Sequence, residues 1–192
     1  MSTQAGVPPA PASPLWAVLT FSWISSVGTG LTANGIYFLT KHAYGFGVLE
    51  NYSLGLAMGL AYIGGALGAG PALRAARRRG FSTRRSLGAI LVALALLCFI
   101  PALIPPRGEH PAHWPIWTLI VLYQPLCGAL WPIVEGYLSG GRSGRPLRSA
   151  LGVWNITWCS ALVVALWGMG PLVHRHAPAL MASLGVGHLL SI

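Results

Sequence analysis

A chain of 192 residues in which 54% are hydrophobic and only 8% charged has too little polar surface for a soluble domain, where roughly a quarter is charged. It contains no Asp, and the Lys and Arg behind its net charge of +9 sit in short segments between apolar runs rather than over one face, which excludes nucleic acid as the partner. The composition implies an all-α, polytopic membrane helix bundle with the lipid bilayer as its first partner.

Residues 1–14 are rich in Pro, Ala and Ser and lack Lys and Arg, so they have no basic n-region of a cleavable signal and read as a short disordered cytoplasmic tail. A transmembrane bundle is expected over 15–192. Its first span, 15–39, is too long for a signal segment. It carries a seam of Ser22, Ser25, Ser26, Gly28, Thr29, Gly30, Thr32, Asn34 and Gly35, ending near Tyr37. Small and hydroxyl residues in lipid belong on a protein-facing or wet side, so this helix should face inward, with Asn34 and Tyr37 as candidates for lining a solute path.

The second span, 53–73, is uncharged, and its pairs Gly55 with Gly59 and Gly64 with Gly68 repeat at the four-residue spacing of a close-packing seam. A loop bearing Arg74, Arg77, Arg78, Arg79, Arg84 and Arg85 follows. Such a cluster beside apolar runs stays cytoplasmic and anchors the topology, with anionic lipid headgroups as a secondary contact. The third span, 87–104, has no hydroxyl or amide, so no face of it suits a polar solute and it should lie on the lipid side.

A proline-rich turn with Arg107, Glu109, His110 and His113 leads to the fourth span, 114–138, anchored at the outer interface by Trp114 and Trp117. Gln124 falls near its middle, where transporter sites lie, and is the third path candidate. Glu135 is the only acid inside a span. It either clamps the inner helix ends through Arg145, Arg148, Arg84 or Arg85, or serves as a coupling or substrate group. In the fifth span, 151–173, Asn155 and Trp158 share a face, and the Asn155 amide can bond to a neighbouring helix. A sixth apolar run, 179–192, stops within or at the edge of a helix, so the last helix is expected to be truncated.

Counted by connector, Lys and Arg number nine after the second and fourth spans and three after the first, third and fifth. That asymmetry implies six spans with a cytoplasmic N-terminus, as in a multi-pass protein of the bacterial inner membrane. Cys98, Cys127 and Cys159 read as free thiols within spans. His188 reads as a packed or interface histidine, and the loop histidines are too scattered for zinc, so no metal or cofactor is expected. Ser139 has no His or acid partner in its pattern and GxxxxGK[ST] is absent, so the chain is not expected to be an enzyme.

The inward N-terminus, the basic second connector and the polar first helix resemble the N-terminal half of a major facilitator superfamily transporter. The resemblance is most specific over Gly128, Trp131, Pro132 and Glu135, then Arg148, Gly152, Asn155 and Trp158, which look like the family's fourth-to-fifth-helix pattern. It implies a solute transporter working by alternating access, with helices one and four lining a central cavity and three and six outside. A second six-helix half, as the missing C-terminal part or a partner chain, would complete it. Two features depart from the family. The second connector keeps Gly70 and the arginines but lacks the usual acid, and the fifth helix has only Gly168, Gly170 and Pro171 of the antiporter glycine–proline pattern, so drug–proton exchange is not supported. The competing expectation is a non-transporting membrane scaffold or sensor that kept the fold.

Overall fold

The computed structural model describes residues 12–108, 111–173 and 176–192. These form six helices: α1 (Leu15–Ala43), α2 (Val48–Arg78), α3 (Thr83–Leu103), α4 (Trp114–Ser139), α5 (Gly144–Val173) and α6 (Ala177–Leu190). The first five are long and apolar enough to cross a membrane, which makes this an integral membrane protein by composition and length. The 14-residue α6 rises only about 21 Å at ~1.5 Å per residue, short of a ~30 Å hydrocarbon layer. The expected tail lies outside the described residues except for 12–14, as do Glu109, His110, His174 and Arg175.

Several helices extend past the expected spans. Arg74, Arg77 and Arg78 lie in the last turns of α2, and Arg84 and Arg85 in the first turn of α3. The basic loop is therefore largely helix, joined by a tight turn in which Gly80 takes φ +81°, Gly80 N–H donates to the Arg77 carbonyl, and Phe81 N–H donates to that of Ala76. This is the Schellman closure, and its left-handed residue is the reason for glycine at that position. Ser82 caps α3 by accepting the Arg85 N–H at 3.2 Å. Arginine is a good helix former, so helix continues until backbone chemistry ends it rather than where apolar residues stop.

Three helix pairs make most of the packing: α2 with α4, α3 with α6, and α1 with α5, and α3 also packs on α4. Half of the apolar stretch of α4 and 44% of that of α1 is buried, against 11% for α2, so α1 and α4 form the middle of the bundle. The seam of α1 turns inward: Ser22, Ser25, Ser26, Thr29 and Thr32 are all buried. Over Leu31–Gly35 this helix widens into a π-helical turn, next to where Thr32 Oγ1 donates to the Gly28 and Thr29 carbonyls. Back-bonding of this kind loosens the regular ladder, and π turns collect at functional positions.

The glycine seam expected on α2 is not the one used. A Cβ added at Gly59, Gly64 or Gly68 would meet nothing, and one at Gly55 would crowd only the Tyr37 side chain, not a neighbouring backbone. The close approach is made by Gly65, against the backbone of Pro125, and reciprocally by Gly128 of α4, against the backbone of Tyr62 and Ala66. Four-residue spacing is common in any Gly-rich apolar run and does not identify which face meets a neighbour.

At one end of the bundle Arg142 donates to the Leu138 carbonyl and to that of Ser13, tying the end of α4 to the start of α1. The opposite end is held by His113, whose ring lies 2.9 Å from a Glu50 carboxylate oxygen and 2.8 Å from the Tyr44 carbonyl, and packs tilted against Phe46 with centroids 4.3 Å apart. The Gly47 N–H, then His113, hold the Glu50 carboxyl below its ordinary range, and burial pushes the Tyr44 phenol up to about 12.

Candidate functional site

Between α1, α2, α4 and α5 lies a recess of about 400 Å³, within the range of roughly 300–1,000 Å³ typical of small-ligand sites. Neither α3 nor α6 contributes to its lining. From α1 come Ser26, Thr29 and Asn34, at and beside the π turn. Helix α4 supplies Gln124, Cys127, Trp131 and Glu135, the last three brought onto one face by their four-residue spacing. Opposite them, α5 presents Trp154, Asn155 and Trp158, and α2 presents Tyr62. Gln124, Tyr62 and Trp158 each lie near the midpoint of their helix, so the recess sits at mid-height of the bundle and extends toward the end carrying Glu135.

Two of the lining polar groups are orphans. Gln124 and Ser26 are each 4% exposed, and neither Gln124 Nε2 nor Ser26 Oγ has a hydrogen-bond partner. A buried unsatisfied group costs on the order of 1–3 kcal/mol, so a cavity wall carrying two of them is poised for something that bonds to them. By contrast, two of the three indoles are already committed: Trp154 Nε1 donates to Ser22 Oγ at 2.9 Å, and Trp158 Nε1 to Asn155 Oδ1 at 3.0 Å. The Asn155 amide thus bonds within its own helix, not to a neighbour as its sequence position suggested.

The other expected site residues fall in three places. Asn34, Gln124, Glu135, Asn155 and Trp158 all line the recess. Tyr37 does not: its hydroxyl contacts Met58 Sδ at 3.5 Å, beside a separate shallow hollow with Asn51 and Tyr52. Arg145 and Arg148 sit in the first turns of α5 and are exposed, as are Arg74, Arg77, Arg78, Arg79, Arg84 and Arg85. The clamp between Glu135 and these arginines is not formed, because among the described residues the one ion pair is His113 with Glu50. Free of it, Glu135 is the only charged side chain on the recess wall.

Tyr62, Trp131 and Trp154 belong to the site without having been singled out for it. Trp131 stands four residues before Glu135 and Trp154 four before Trp158, a same-face spacing that could have found both. For Tyr62 the sequence holds no such signal, since it enters through the Gly65 crossing. Ser139 donates to the Glu135 carbonyl at 2.8 Å, a bond internal to α4. His188 is buried and pairs with the Tyr123 hydroxyl at 2.7 Å, away from the recess wall. Among the described residues no group of three His, Cys, Asp or Glu is placed to hold a metal ion.

No family model, curated protein or solved structure matches this chain.

Proposed function

We propose that this chain moves a small solute across a membrane by alternating access, as one six-helix half of a transporter of the major facilitator type. The observation that carries the reading is the mid-height recess with two buried, unpartnered polar side chains, Gln124 and Ser26, on its wall. Internal symmetry adds support. Exchanging α1, α2 and α3 with α4, α5 and α6 turns the pair α1 with α5 into α4 with α2 and leaves α3 with α6 unchanged, so the three main packing pairs map onto themselves. Two three-helix repeats around a central site are a common plan of secondary transporters.

In this reading α6 is a sixth membrane segment and the arginine-bearing ends lie in the cytoplasm, together with the N-terminus, in a bacterial inner membrane. Arg84, Arg85 and Arg145 occupy first turns, where a positive charge opposes the helix dipole. A topological role for these charges explains why they stand there despite that cost. Asn34, Glu135 and Asn155 are exposed, so the recess is open on one side, and a second six-helix half placed there would complete the pathway.

The test is uptake of labelled solutes into vesicles by this unit together with its completing half. Gln124→Leu should lower uptake severalfold at unchanged amounts of inserted protein. If no solute moves while the folded protein still binds a partner, the chain is a scaffold or sensor and the proposal fails.

A further inference from the structure

The wall chemistry of the recess selects a charge type. Three indoles and one phenol, from Trp131, Trp154, Trp158 and Tyr62, surround it, and the only formal charge among its lining residues is the carboxylate of Glu135. Trp131 and Trp154 meet edge to face with ring centroids 6.2 Å apart, and the N–H groups of Trp154 and Trp158 are already bonded, to Ser22 and Asn155. Aromatic rings attract cations through their electron-rich faces, and a carboxylate adds direct Coulomb attraction. An anion would find no Lys, Arg or His on this wall.

The orphan groups say what else the occupant carries. Gln124 stands seven residues before Trp131 on α4, about 10 Å along the axis at ~1.5 Å per residue. Gln124 and Ser26 both need a hydrogen-bonding partner. An oxygen on the ligand supplies one to Ser26 and to the Gln124 amide.

We propose that the recess binds an elongated organic cation, its ammonium group held among Trp131, Trp154, Tyr62 and Glu135 and an oxygen-bearing end reaching Gln124 and Ser26. This inference rests on the reading of the recess as a solute site and names the class of solute.

The test uses two probes that differ in one atom: acetylcholine, and its neutral isostere 3,3-dimethylbutyl acetate, in which carbon replaces the ammonium nitrogen. Each is titrated into the purified full chain in detergent, with tryptophan fluorescence as the readout. Acetylcholine should change the emission saturably and bind at least tenfold more tightly than the isostere. Glu135→Gln should remove most of that preference and Glu135→Asp should keep part of it, with thermal stability unchanged because Glu135 is exposed and unpaired. Equal binding of the two probes, binding of neither, or a preference untouched by Glu135→Gln overturns the inference. Uptake of a neutral or anionic solute in the vesicle assay would then leave the transport reading standing. Charge-selective binding with no uptake would sink transport and keep the cation site.

Discussion

Gly65 of α2 rests directly on the main chain of Pro125 of α4, so closely that a Cβ at Gly65 would overlap the Pro125 carbonyl. Backbone cannot swing aside as a long side chain can, so Gly65→Ala must push the two helices apart. Overpacking of this kind costs about 1–3 kcal/mol, and Gly128→Ala, facing the main chain of Tyr62 and Ala66, should cost the same. The neighbouring Gly64→Ala meets open space and should be neutral or gain slightly, because alanine favours helix by up to ~1 kcal/mol over glycine. Thermal unfolding in detergent ranks the three; equal midpoints for Gly64→Ala and Gly65→Ala would contradict the crossing.

The buried pair Tyr123 and His188 gives a second prediction. Its hydroxyl-to-ring bond of 2.7 Å is the one hydrogen bond of the His188 imidazole, whose Nδ1 has no partner, and Gly28 leaves room for the ring. Tyr123→Phe should destabilise the protein by about 1–3 kcal/mol by stranding the imidazole without a partner. Tyr123→Phe combined with His188→Leu should lose less than the two single changes added together. Strict additivity in the double-mutant cycle would show that the two side chains do not interact.

Glu50 makes stability depend on pH at the end of the bundle where α1 meets α2. At 31 residues α2 is about 46 Å long at ~1.5 Å per residue, so its first turn projects beyond a ~30 Å core and Glu50 meets water. The Gly47 N–H and His113 lower its folded pKa relative to the unfolded chain. The stabilisation is therefore complete above the unfolded pKa and disappears as pH falls through the folded one. Unfolding midpoints of the wild type should exceed those of Glu50→Gln near pH 7, with the gap closing below about pH 4. A gap that widens on acidification would reverse the assigned sign.

The helices and their order were legible because apolar runs, prolines and arginine clusters are one-dimensional signals. Helix ends were not, since Gly80 and Ser82 decide them by backbone hydrogen bonds that hydropathy does not register. Asn34, Gln124, Glu135, Asn155 and Trp158 stood out as polar or amphipathic residues in apolar helices, and they share one recess. Tyr37 looked equivalent to Asn34, three residues on, but it follows the π turn of Leu31–Gly35, which breaks the regular helical phase, and its hydroxyl meets Met58 instead. The Glu135 clamp was unreadable for a different reason: sequence shows which charges are near an end, not whether their side chains meet.

The central claim is that a water-accessible recess is sunk into a lipid-embedded bundle, and differential cysteine labelling tests it most directly. With Cys98, Cys127 and Cys159 replaced by alanine, single cysteines are placed at Asn155 on the recess wall and at Val163, exposed on the same helix but outside the recess. A thiol reacts with a membrane-impermeant maleimide only as a hydrated thiolate. In native membranes Asn155→Cys should label readily and Val163→Cys should remain unmodified behind lipid. Equal labelling of both, or labelling of Val163→Cys alone, would contradict the account.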